Sequence, residues 1–137
     1  MTADKQRIAI SASSTDEQLS AAVGEACGWK REYVRDPYTE FQHTWWKSPK
    51  GEWKMLPPYA TSADALRPLL EKMHAVMAYQ ESGDENSDWE VYVIKDDVIG
   101  TEWWKYSGFR GVAKTFARAA CFALLKANGV TVEGAAA

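Results

Sequence analysis

Only two histidines and two cysteines occur among the 137 residues, and that scarcity excludes most catalytic and metal-binding schemes. His43 falls in an expected strand and His74 in an expected helix. Neither has a positioned partner for acid–base work or the His-Glu-x-x-His spacing of a zinc site. Cys27 and Cys121 are far apart and each lies on an apolar helical stripe, so they read as buried free thiols. The nine glycines include no phosphate-cradling loop, and the acidic stretch with Glu81, Asp84, Glu85 and Asp88 lacks the alternating spacing and glycine of a calcium loop. No apolar run of about 18 residues exists, nor an apolar core of signal-peptide type between Met1 and Ser14, so the expected location is the cytoplasm, with no membrane partner. The net charge of −3 gives no general attraction to nucleic-acid polymers. A protein with no catalytic residues, cofactor or metal is the expectation.

What is present is the patterning of one α+β domain: an antiparallel sheet with about three helices packed on it, sandwich-like in layering. Residues 1–13 read as a flexible lead-in or an edge strand, 14–129 as the domain and 130–137 as a tail. Ser14 and Glu17 form a capping-box pattern. Leu19, Ala22, Val23, Ala26 and Cys27 then recur at helical spacing, and Gly28 ends the helix. Trp29 to Val34 follows as a strand. His43 to Lys47 and Glu52 to Leu56 flank Ser48-Pro49-Lys50-Gly51, the turn of an expected hairpin.

Thr61 to Asp64 supplies helix-start chemistry, and Leu66, Leu69, Leu70, Met73, Val76 and Met77 continue a helical stripe. Pro68 within it either moves the start to Arg67 or kinks the helix. Trp89 to Lys95 reads as a strand covered at least in part on both faces, and Val98 to Tyr106 as another, broken at Gly100. Val112 to Ala127 carries a last helix, ended by Asn128-Gly129. Before it, Gly108-Phe109-Arg110-Gly111 reads first as a glycine-rich turn. Its second reading is a generic anion site, with Arg110 beside a helix N-terminus.

Seven tryptophans are the most unusual content. Trp45 and Trp46 are adjacent in an expected strand, as are Trp103 and Trp104, so the two rings of each pair point to opposite faces. Trp53 lies on the partner strand of the hairpin, and Lys47, Lys50, Lys54 and Lys105 stand beside these rings. Packing accounts for some of the indoles. Those left outside make Trp45, Trp46, Lys47, Trp53, Trp103, Trp104 and Arg110 the candidate ligand-binding residues, since aromatic faces flanked by cations suit a stacked base and its phosphate.

Three local patterns resemble the phage ABA sandwich domain family of small bacteriophage and prophage accessory proteins. They are Ala26-Cys27-Gly28-Trp29-Lys30, then Leu56-Pro57-Pro58-Tyr59 with Ser62 and Ala65, and Ala117-Arg118-Ala119 with Phe122 and Leu125. The resemblance spans most of residues 22–129. It implies helices packed on a sheet, a phage origin and no assigned catalytic residues. Taken with the tryptophans, it leads to the expectation of a non-enzymatic binding protein that sequesters a nucleotide-like host defence signal. The alternative is an adaptor or inhibitor that grips a host protein through an aromatic surface. Edge strands and exposed aromatics also favour a homo-oligomer.

Overall fold

The computed structural model describes residues 10–35, 42–80, 87–95 and 108–133, with backbone only at 33–35 and 42–44. The first helix, α1 (Asp16–Ala26), follows β1 (Ile10–Ser11). Its N-cap is Thr15 rather than Ser14: Thr15 Oγ1 accepts from the Gln18 amide at 3.1 Å, and Gln18 Oε1 accepts from the Thr15 amide at 3.0 Å. Ser14 is unavailable because its hydroxyl closes the preceding turn, accepting from the Ser11 amide at 2.9 Å. At the other end Gly28 adopts φ +100°, and the amides of Gly28 and Trp29 bond back to the carbonyls of Glu25 and Gly24. That pair of bonds is the Schellman arrangement glycine permits.

The next two strands, β2 (Lys30–Arg35) and β3 (Gln42–Lys47), pair antiparallel, with Glu32 opposite Trp45 and Arg31 opposite Trp46. The turn after β3 forms as expected, closed by Gly51 N–H to Ser48 C=O at 2.9 Å. The expected strand over Glu52–Leu56 reduces to one bridge, Lys47 to Trp53. Pro57 and Pro58 follow at once, and a residue without an N–H cannot extend a ladder.

Ser62 caps α2 (Ala63–Glu71), its Oγ accepting from the Ala65 amide. Pro68 sits inside this short helix on its exposed side, so the helix starts at Ala63 and not near Arg67. The stripe ends earlier than its periodicity implies. Met73 and His74 lie beyond α2, and Val76 and Met77 belong to β4 (Ala75–Gln80), which pairs antiparallel with β5 (Trp89–Ile94). Sheet partners outweigh a helical period that happened to continue. The third strand of this sheet, β6 (Gly108–Ala113), occupies the stretch read as a glycine turn and as the first residues of the last helix. Val98–Tyr106, including Trp103, Trp104 and Lys105, lies outside the described residues.

The last helix, α3 (Phe116–Ala127), is the centre of the core, with nine of its twelve residues buried. It lies against β5 and β6 and is also met by α1 and α2. Its alanines at 117, 119, 120, 123 and 127 let neighbours approach on several sides, while Leu124, Leu125 and Phe122 fill the space beside Leu19, Val23, Leu66, Leu69, Val91 and Val93. Gly111 of β6 comes so near that a Cβ there would stand 1.9 Å from the Ala119 carbonyl oxygen and 2.6 Å from the Ala123 nitrogen. Gly129, at φ +81°, ends α3 with the same bond pair as Gly28 does α1, now to Lys126 and Leu125.

Past α3, β7 (Val132–Glu133) pairs parallel with β1, so the described fold reaches beyond residues 14–129 on both sides. Arg118 secures the same region. It pairs with Asp16 and donates to the carbonyls of Ala12 and Ser14 at 3.2 and 2.7 Å. The fold class is α+β, as expected, with three helices, a three-stranded and a two-stranded antiparallel sheet, and the short parallel pair among the described residues. Among the described residues no helix is long and apolar enough to cross a membrane.

One buried polar contact links α1 to the α2 approach: Ser20 Oγ accepts from the Ala60 amide at 2.9 Å. Ser20→Ala leaves that buried N–H without an acceptor, which should cost about 1–3 kcal/mol. Urea unfolding should show a lower midpoint with an unchanged slope.

Candidate functional site

The β3 hairpin and α1 enclose an open groove of about 730 Å³, a volume within the range of ligand sites. Its head is Trp45 and Trp46. One wall is the extended run from Trp53 through Lys54, Met55 and Leu56 to Pro57 and Pro58, closed by Thr61. The facing wall is the start of α1, with Asp16, Glu17 and Ser20. Leu56 holds the two walls together, lying where a Cβ on Gly24 of α1 would touch it.

The pleat separates the adjacent indoles. Trp45 is 51% exposed and Trp53 is 51% exposed, whereas Trp46 is half-buried, with the Arg31 guanidinium 5.4 Å from its ring centroid. The Lys47 ammonium stands 5.6 Å from the Trp53 centroid, a cation–π distance. Met55 beside them is almost fully exposed. Such rings on a surface are costly to leave in water and mark places where a partner can cover them.

The groove's charges are mostly spoken for. Lys54 pairs with Glu52 at 3.0 Å and Asp16 pairs with Arg118. Glu17 has no ion-pair partner among the described residues. Asp16 and Glu17 also occupy the first turn of α1, where carboxylates complement the helix dipole. A second cavity of about 790 Å³ lies beyond the common wall of Glu17, Trp46 and Leu56, bordered by Glu25 and Arg31, which form an ion pair.

Of the sequence-derived candidates, Trp45, Trp46 and Trp53 meet in this groove, with Lys47 at its edge. Trp103 and Trp104 lie outside the described residues. Arg110 is placed elsewhere, on β6, and lines neither cavity. Its guanidinium donates to Glu90 Oε1 from Nε at 2.7 Å, a bond that holds the Arg110 pKa above its usual value. An arginine so neutralised on a strand is not the anion site that a turn at a helix N-terminus would give. His74 lies in the α2–β4 connection, and His43 is placed by its backbone in β3. Among the described residues no cluster of His, Cys, Asp and Glu is arranged to hold a metal. Sequence reasoning missed Asp16, Glu17, Met55 and the two prolines as lining residues. The proline-rich run after the hairpin was the available signal.

No protein-family model, curated protein or solved structure matches this chain. The other described tryptophans have structural surroundings: Trp89 packs edge-on against Phe116 at 5.7 Å, and Trp29 lies beside Tyr59, whose hydroxyl pKa is raised chiefly by burial.

Both thiols are also held by the fold. Burial pushes Cys27 up, and it pushes Cys121 up to about 12, where its S–H donates to the Tyr59 carbonyl at 3.3 Å. The unfolded thiol ionises near pH 9 while the folded Cys121 keeps its proton. Above pH 9, then, the folded state holds more protons and stability falls as pH rises, by at most about 1.4 kcal/mol per unit from this group. Cys121→Ala should flatten that alkaline loss in urea titrations at pH 8 to 10. An unchanged slope would show that Cys121 is not its source.

Proposed function

We propose that this chain is a non-enzymatic binding protein that covers its tryptophan groove with part of a partner protein, acting as an adaptor or inhibitor. The observation that carries this reading is the joint exposure of Trp45 and Trp53 at one open groove. Large aromatic side chains at the centre of such a surface are the usual anchors of protein recognition. In the phage setting that the Ala26–Lys30 resemblance implies, the partner is a host protein met in the host cytoplasm.

Sequestration of a nucleotide-like signal is the second reading, favoured by Lys47 and Lys54 beside the indoles. Its weakness is electrostatic. Lys54 is paired, Arg110 is elsewhere, and the helix start that faces the groove presents Glu17 to any phosphate, beside an Asp16 already paired with Arg118.

The deciding experiment compares affinity capture from host lysate by the native chain and by the Trp45→Ala/Trp53→Ala variant, alongside calorimetry with cyclic and linear nucleotides. A protein retained by the native chain alone, with no nucleotide heat, is the expected outcome. Equal capture by both proteins would remove the groove from the interaction, and tryptophan-dependent nucleotide heat would establish the second reading instead.

A further inference from the structure

The chemistry of the two walls narrows the partner, given the protein-binding reading above. Pro57 and Pro58 remove two successive backbone donors from the extended wall, so an incoming β-strand finds no regular ladder there. The groove offers flat rings and a flexible methionine, and the half-exposed Trp45 and Trp53 each carry an indole N–H. An indole nitrogen donates and never accepts. The complementary backbone has free carbonyls and no need of strand pairing, which describes a polyproline II segment. Aromatic-lined grooves take such segments because they are already ordered before binding.

Charge adds a second requirement. Lys54 and Asp16 are compensated by Glu52 and Arg118, and the Lys47 ammonium at the edge is turned onto the Trp53 ring, which leaves Glu17 as the lining charge with no ion-pair partner among the described residues. A cationic side chain on the partner satisfies it, and an acidic one is repelled. We infer that the groove binds a proline-containing segment of the partner that carries arginine or lysine, its rings against Trp45 and Trp53 and its cation toward Glu17.

The test titrates the full chain with three end-capped synthetic peptides and follows tryptophan emission. One has proline pairs separated by single arginines, one replaces each arginine with glutamate, and one keeps the arginines but replaces each proline with alanine. The arginine–proline peptide should bind roughly tenfold or more tightly than either other peptide, and Trp45→Ala/Trp53→Ala should abolish its binding. Glu17→Gln should weaken it by roughly two- to fivefold, as expected for an exposed charge pair. If the glutamate or alanine peptide binds as tightly, or if no peptide binds while a captured protein still depends on both tryptophans, this inference fails and the protein-binding reading stands. Tryptophan-dependent binding of ATP or a cyclic dinucleotide, with no peptide bound, would overturn both.

Discussion

Gly111→Ala should yield little folded protein, with a loss of about 3–5 kcal/mol where any survives, at the top of the range for a single substitution. The added methyl would meet the Ala119 carbonyl oxygen and the Ala123 nitrogen, both backbone atoms of α3. Neither can swing aside as a side-chain tip would. β6 must therefore move off the helix, opening the contact around which Val91, Leu124 and Leu125 are packed. Gly24 provides the contrast, because there the atoms nearest an added Cβ belong to the side chain of Leu56. Gly24→Ala should cost far less than Gly111→Ala in urea unfolding. A Gly111→Ala protein within about 0.5 kcal/mol of the native chain would mean that β6 and α3 can separate without strain.

The second large effect is on binding. Alanine at both Trp45 and Trp53 should reduce affinity for the partner by about two to three orders of magnitude, since central aromatic anchors commonly cost 2 kcal/mol or more each. Stability should change little, because both rings are already half in water. Trp46→Ala should do the reverse. Its ring is half-buried under Arg31, so the unfolding midpoint should fall while a ligand held by Trp45 and Trp53 loses less. Equilibrium titration beside urea unfolding for the same variants separates the two. A double variant within tenfold of native affinity would place the binding surface elsewhere.

Features written in a few adjacent residues were legible. Gly28 and Gly129 end their helices because a left-handed residue after the last turn is a local requirement. Ser48 to Gly51 likewise announces its turn. The errors share another origin. Val76 and Met77 fit a helical period and a sheet register equally well, and only pairing with Tyr92 and Val93 decides between them. Gly108 and Gly111 look like turn residues, yet Gly111 is small because a helix passes over it, a reason that lies in tertiary contact. The cap moved from Ser14 to Thr15 because Ser14 was already engaged.

The groove follows the same division. Alternation along β3 foretold that Trp45 and Trp46 would part, and the turn foretold that Trp53 would join them. The carboxylate wall was invisible because Asp16 and Glu17 reach the tryptophans only through the docking of α1, some 30 residues away in sequence.

The parallel pairing of Ile10–Ser11 with Val132–Glu133 bears on the order in which the molecule assembles. Closing so long a loop is entropically expensive, and two residues of ladder return little for it. The clasp therefore belongs late in folding, after α3 has found β5 and β6 and Arg118 is in place to catch the carbonyls of Ala12 and Ser14. On unfolding it should open first, its amides exchanging with solvent well before those of β5.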